Sequence, residues 1–427
     1  MVEQEQTNQT IEYRIPSSIP IFDRYEIQFG AILGSGSFCT VCAISNIIAN
    51  TNAVDNDLDW DCDDTENHGN QHDPNESKLQ WKTRQNLIQQ FEDNNFANQA
   101  VNSIRSPDKK PPPRYAIKYL KRGLSTKDRD RGKQDLEMEL HLLLKCQNIP
   151  TKNSAMKTNL THPNIISLLG VGGLNTVQLN TSPGMKSMSL QSSKDRFLIL
   201  DRLKSTLQSR FAKWRNKRGI GLMEVLAIND KANKDLWLER LIILSNISSA
   251  VLFLHEHNII YRDLKPENIG FDYDETPKLF DFGLARTLPT QQMEDNKSYD
   301  GTQTYQMTGM TGSPRYMAPE VTLNKPYGTN ADVYSFGILM NEVLSLKVPF
   351  AGTMGIRQLQ NDIIKEGLRP FNDPWWPTSI SELIGEMWDG NYKKRPSSKQ
   401  VVKRLQAVLR GADDDLFPAW GVSRWFR

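Results

Sequence analysis

Residues 261–268 read Tyr-Arg-Asp-Leu-Lys-Pro-Glu-Asn, and thirteen positions after that Asn comes Asp281-Phe282-Gly283. Asp263 can take up a proton and Lys265 can balance negative charge. Asn268 and Asp281 offer hard oxygen atoms of the kind that hold a divalent cation. Together they are the groups that phosphoryl transfer from a magnesium nucleotide requires.

Such groups need elements that bring them together. Tyr25 to Ile47 is apolar and β-branched with glycines in the middle, which reads as strand, turn, strand. Its turn, Gly34-Ser35-Gly36-Ser37-Phe38-Cys39-Thr40-Val41, can bring backbone N–H groups close to an anion with no Cβ in the way. Gly-Ser-Gly marks ordinary hairpins equally well. Tyr115-Ala116-Ile117-Lys118 lies in a second strand, Arg114 to Leu120, where alternation puts Lys118 opposite Ile117. A lone strand lysine is usually a solvated edge charge.

Leu136, Leu140, Leu143 and Leu144 repeat at helical spacing within Lys133 to Cys146. Asn164 to Val171 and Arg196 to Leu200 read as strands, joined by a long polar hairpin loop from Asn175 to Lys194. Helical patterns then follow over 206–215, 234–257, 331–346, 355–366, 379–388 and 398–409. Strands first and helices afterwards argue for two lobes. Residues 48–113 are rich in Asn, Gln and Asp and end in Pro111-Pro112-Pro113, a composition expected to stay disordered. A passive solvated loop is the default there, with a short helix around Leu79 to Phe91 and with Trp60 and Trp81 as candidate anchors for a partner. A second polar insertion covers 147–161.

The 427 residues carry a net charge of +2, which calls for neither nucleic acid nor an acidic membrane as partner. No apolar signal segment opens the chain. The most apolar stretch, Leu241 to Leu254, is broken by Ser245, Asn246, Ser248 and Ser249, and it reads as a buried helix too short and polar to span a bilayer. Cys39, Cys42, Cys62 and Cys146 form no disulfide framework, which fits the cytosol or nucleus. Cys39 and Cys42 make a C-x-x-C with Cys62, His68 and His72 downstream. Without a second C-x-x-C they read as small hairpin residues rather than a zinc site.

The order of these pieces resembles the eukaryotic protein kinases of serine/threonine type, in particular the tyrosine-kinase-like branch. The resemblance runs from about Tyr25 to Leu409 and rests on the 34–41 turn, on Tyr115 to Lys118, and on the 261–268 and 281–283 loops. It rests further on Gly312-Ser313-Pro314-Arg315-Tyr316-Met317-Ala318-Pro319-Glu320, on Asp332 and on Lys394-Arg395-Pro396.

The resemblance implies an α+β, bilobal fold: a small antiparallel β lobe with one helix, and a larger, mainly helical lobe. It implies ATP and Mg²⁺ as cofactors and protein substrates as partners, and it sets no oligomeric state. Gly34, Ser35, Gly36 and Val41 would cover the nucleotide, with Cys39 standing where relatives carry a third glycine. Ala116 and Lys118 would also contact it, and Glu139 (Glu137 second) would hold Lys118. Leu200 would stand beside the adenine, with backbone groups near Asp201 and Leu203 bonding its edge.

Asp263 would be the catalytic base, Lys265 would neutralise the transferring phosphate, and Asn268 and Asp281 would hold the metal. The whole reading expects Lys118, Asp263, Asn268 and Asp281 to meet around one nucleotide in a cleft between the lobes. Tyr261 would pack on Phe282, Glu320 would pair with Arg395, and Asp332 would anchor the 261–268 loop. A phosphate on Thr308 or Thr311, near Thr302 and Thr304, would dock by Arg262. The expected layout is an extension over 1–24, a kinase domain over 25–410 holding both insertions, and a tail over 411–427. The alternative is a pseudokinase-like nucleotide-binding scaffold, which the presence of all four of these residues disfavours.

Overall fold

The computed structural model describes residues 15, 19–22, 26–47, 84, 86–89, 114–147, 162–178, 188–218, 231–289, 303–352, 355–374 and 376–411. The chain divides into two compact units, Met1–Asn159 with Ser167–Arg202 and Leu160–Ile166 with Leu203–Arg427.

The first unit is built on a sheet of β1 (Ile21–Phe22), β2 (Ile27–Ser35), β3 (Cys39–Ile47), β4 (Tyr115–Leu120), β5 (Leu168–Gln178) and β6 (Met188–Asp201), in the order β1-β5-β6-β4-β3-β2. All pairings are antiparallel except β1 with β5. Alternation along β4 sends Tyr115 and Ile117 into a core with Ile44, Phe197 and Ile199, while Lys118 faces the other way. Helix α1 (Thr126–Gln147) buries Leu136, Leu140, Leu143 and Leu144, the expected stripe. It starts earlier than the apolar pattern because its first two turns are charged. The Ser125 hydroxyl opens it, accepting from the Asp128 N–H at 3.2 Å.

Three sequence expectations change here. Phe22, within the expected N-terminal extension, is buried in the sheet core through β1, whose brevity and preceding Pro20 hid it from strand patterns. The polar stretch expected as a hairpin loop is partly strand, since Leu174 through Gln178 pair with Ser192 through Met188. Within the 48–113 insertion, residues 84 and 86–89 are helical, and Leu87 and Ile88 are buried. This part of the stretch is therefore the short helix expected around Leu79 to Phe91 and not the default solvated loop. Trp60, Trp81, Cys62, His68 and His72 lie outside the described residues, as does nearly all of the second insertion.

The second unit is mainly helical: α2 (Leu207–Arg218), α3 (Lys231–Glu256), α4 (Pro319–Thr322), α5 (Asn330–Ser345), α6 (Ile356–Lys365), α7 (Thr378–Met387) and α8 (Ser398–Leu409). Helix α5 is buried along its whole length, so its apolar residues need no amphipathic stripe. On α3, Leu241, Leu244, Ile247, Val251 and Leu254 point into the core at helical spacing. The portion Asp235–Glu256 is long and apolar enough to cross a membrane, longer than the sequence reading allowed, and half of its apolar window is buried inside the unit.

Short strands frame the loops. β7 (Ser205–Thr206), β9 (Ile269–Phe271) and β10 (Pro277–Leu279) form one small sheet, and β8 (Ile259–Ile260) pairs with β11 (Arg286–Thr287).

Candidate active site

The 261–268 loop leaves β8 and ends in a 3₁₀ turn, Pro266–Asn268, whose leading proline suits a first helical position. Its shape depends on Asp332 in the first turn of α5, a fully buried residue. Asp332 Oδ2 accepts from the Tyr261 N–H and Oδ1 from the Arg262 N–H, both at 2.8 Å, and His255 Nε2 lies 3.0 Å from Oδ2. Arg262 has φ of 69° and Asp281 of 64°, left-handed values that non-glycine residues adopt only when their surroundings impose them. Asp332 does so for Arg262.

Asp263 then faces a ring of donors. Its Oδ2 accepts from Lys265 Nζ at 2.6 Å and from Asn268 Nδ2 at 2.8 Å. Its Oδ1 accepts from the Ser313 hydroxyl at 2.8 Å, and that hydroxyl accepts from Lys265 Nζ at 3.0 Å. Gly312 makes this approach feasible. It sits at φ 102°, and a Cβ there would lie 2.3 Å from the Arg262 carbonyl oxygen. Asn268 spends its amide nitrogen on Asp263, which leaves its side-chain carbonyl oxygen as the atom suited to a cation. Asp281 is exposed. Next to it, the Phe282 ring meets Tyr261 edge-on with centroids 5.3 Å apart, the expected packing. The Tyr261 hydroxyl also donates to the Phe280 carbonyl.

In the first unit, Lys118 Nζ lies 2.6 Å from Glu139 Oε2, and both side chains are largely buried. Glu137 bonds Arg196 instead, at 3.0 Å, because it points from another face of α1. Val41 sits across from Lys118, and Ala116 across from Leu200. The 34–36 turn is exposed. Gly34 has open space around it, and the Gly36 N–H donates to the Cys39 carbonyl at 2.9 Å. Phe38 lies against α1 at Gly132, where a Cβ would meet the Phe38 Cβ at 2.7 Å. The Asp201 carboxylate accepts from the Ser167 N–H at 3.1 Å, and Leu203 of the second unit covers Gly270. Cys39, Cys42 and Cys146 form no disulfide, and burial pushes the Cys146 thiol up to about 12.

The segment between Asp281 and Glu320 is tied down at its described end. Arg395 grips Glu320 with two parallel bonds of 2.6 and 2.8 Å, both side chains buried. Arg262 donates to the Leu284 carbonyl at 2.6 Å and to the Tyr327 hydroxyl at 3.1 Å. That hydroxyl donates to the Thr308 carbonyl at 2.7 Å. The Thr308 side chain is exposed, whereas the Thr311 hydroxyl donates back to the Thr308 carbonyl at 3.0 Å. Thr304 is half-buried and Thr302 lies outside the described residues. The Tyr316 hydroxyl donates to Glu342 on α5 at 2.5 Å, and burial pushes the Glu342 carboxyl up to about 7. Partners such as His255 with Asp332, Tyr327 with Arg262 and Tyr316 with Glu342 are far apart in sequence and follow no local pattern, so the sequence reading missed them.

Among the described residues, no three His, Cys, Asp or Glu side chains gather into a metal site. One carboxylate and one amide oxygen are a sparse donor set. It suits Mg²⁺, which keeps waters and takes further oxygens from substrate phosphates.

A small β unit with a lysine–glutamate pair, and a helical unit with an aspartate-centred loop locked by a buried helix aspartate, define the protein kinase class. The chain matches the protein kinase domain over residues 108–405, and it belongs to that family. It is 34% identical over 170 residues to the serine/threonine-protein kinase STY46 of Arabidopsis thaliana, covering 40% of this chain and 27% of that protein. It is 34% identical over 182 residues to the Arabidopsis serine/threonine-protein kinase VIK, covering 42% of this chain and 39% of that protein. The dual specificity protein kinase shkB of Dictyostelium discoideum is 33% identical over 160 residues, 37% of this chain and 23% of that protein. The matched part thus spans well under half of these relatives' length, and the set fits the tyrosine-kinase-like branch.

Proposed function

We propose that this chain is an active serine/threonine kinase that transfers the γ-phosphate of ATP to protein hydroxyls, with Asp263 as the base. The observation that carries the proposal is the Asp263–Lys265–Asn268–Ser313 ring. Oδ2 is filled by Lys265 and Asn268, while Oδ1 holds one donor and keeps a lone pair for a substrate hydroxyl. In this reading the substrate oxygen bonds to the γ-phosphorus as the bond to the β–γ bridging oxygen breaks. The hydroxyl proton goes to Asp263, and ADP leaves. Such a positioned base is typically worth about 10² to 10⁴ in rate.

Lys265 is placed to offset charge on the moving phosphoryl group. Lys118, held by Glu139, would meet the α and β phosphates of ATP under the Gly34–Gly36 turn; Ala116, Val41 and Asp201 on the first unit and Leu203 on the second are the residues proposed for the adenine. Asn268 and Asp281 would hold Mg²⁺, which would neutralise charge on the phosphate oxygens. The kinase domain, expected over 25–410, takes in β1 from Ile21 and holds the insertions at 48–113 and 147–161. Its substrates are proteins, not nucleic acid or lipid surfaces. A reducing compartment, cytosol or nucleus, suits Cys39, Cys42 and Cys146, which form no disulfide.

The test is an array of Ser, Thr and Tyr peptides phosphorylated by the purified chain. Ser and Thr peptides are expected to label. Labelling of Tyr peptides as well would move the chain to the dual-specificity side, where some of its relatives stand. No labelling of any peptide would overturn the proposal.

A further inference from the structure

The 48–113 insertion leaves β3 and returns into β4, and its described helical residues sit on the sheet those strands build. Leu87 and Ile88 are buried together with Ile27 of β2, Ile44 and Ile47 of β3, and Tyr115 of β4. Across the same face, Cys42, Ile117 and Ile199 are register neighbours on three adjacent strands. Arg84 forms a buried ion pair with Glu26 just before β2, and its guanidinium lies 5.7 Å from the centre of the Phe22 ring. Asn86 and Gln89 face outward. Arg84, Leu87 and Ile88 fall at i, i+3 and i+4, so these contacts lie on one helical stripe. Apolar side chains engage the sheet, and one carboxylate selects the arginine at the stripe's N-terminal end.

We propose that this sheet face is a docking site for a short amphipathic helix of the pattern Arg-x-x-Leu-Ile, and that the chain's own residues 84–89 occupy it in cis. The 36 residues of 48–83 and the 24 of 90–113 tether the helix on both sides. A helix joined covalently to its own site competes intramolecularly against any helix added in trans. Ile117 of β4 lies in the covered cluster, and the next residue, Lys118, points the opposite way to Glu139.

The experiment uses the full chain and a labelled synthetic peptide of residues 79–91, followed by fluorescence anisotropy. Leu87→Asp with Ile88→Asp frees the face by expelling the native helix. The peptide is expected to bind this variant at least tenfold more tightly than wild type, whose site is filled, and an Arg84→Glu peptide is expected to lose at least tenfold. Equal binding to variant and wild type, or full binding by the Arg84→Glu peptide, would overturn the proposal.

Hydrogen exchange on the unaltered protein guards against a misfolded variant. The 86–89 amides are expected to be protected, and exchange at free-peptide rates would overturn the docking outright. Peptide binding by a chain that transfers no phosphate from ATP would uphold the docking site and sink the kinase reading. Normal transfer with no peptide binding would do the reverse.

Discussion

Arg395→Met is expected to cost the helical unit about 3–5 kcal/mol. The guanidinium holds both Glu320 oxygens, at 2.6 and 2.8 Å, donates to the Asn330 and Asp389 carbonyls at 3.0 and 2.8 Å, and stacks 5.0 Å from the Tyr334 ring. Methionine fills similar volume but leaves the Glu320 carboxylate buried and unpaired, which dominates the loss. The two orphaned carbonyls add roughly 1 kcal/mol each at most. For a unit of this size, 1 kcal/mol moves the midpoint by about 2–4 °C, so a fall of roughly 10 °C is expected. Thermal melts of the purified chain followed by circular dichroism measure it. Glu320→Leu combined with Arg395→Met removes both charges, and should recover at least about 2 kcal/mol relative to the sum of the two single changes. A single variant melting within a degree of wild type, or a double variant showing simple additivity, would refute the idea that this pair fastens the segment ahead of α5.

Asp263→Asn should abolish phosphate transfer and leave ATP binding intact by calorimetry; loss of both would mean the residue serves folding instead. Because burial raises Glu342 from an ordinary 4.5 to about 7, the folded state keeps a proton that the unfolded chain has already released within that window. Stability should therefore drop as pH rises from about 4.5 to about 7, by roughly 3 kcal/mol, and Glu342→Gln should flatten the slope in pH-dependent melts. A phosphate on Thr308 or Thr311 should raise activity through Arg262, and Arg262→Ala should erase the gain. Mass mapping of active protein that finds this segment unphosphorylated would contradict that expectation.

Much of this was readable from residue order. Lys118 with Glu139 was legible through the resemblance, which supplies a helix carboxylate for the strand lysine; Glu137 stood second, and the helix period lets only one of the two face Lys118. Glu320 with Arg395 and Asp332 with the 261–268 loop were legible only through the resemblance, since no local pattern links residues that far apart. Strand extensions past Leu174 were hidden because Asn175, Gln178, Ser189, Gln191 and Ser192 interrupt the apolar pattern that marks a strand. Phe22 escaped notice beside Pro20 in a two-residue strand. The burial of Leu87 and Ile88 was masked by an Asn- and Gln-rich surround, in which two apolar residues carry little weight in any composition window. The ring around Asp263 shows the same limit: its members could be named, but the Ser313 hydroxyl that closes it comes from 50 residues away.

The most direct measurement is radiolabelled γ-phosphate transfer from Mg-ATP to a protein substrate, by the full chain and by Lys118→Met, Asp263→Asn, Asn268→Ala and Asp281→Asn in parallel. The account predicts transfer by the unaltered chain and a loss of at least about 100-fold in each variant, in line with groups that act together on one ATP. An inert unaltered chain, or any one of the four variants working at the unaltered rate, would contradict it.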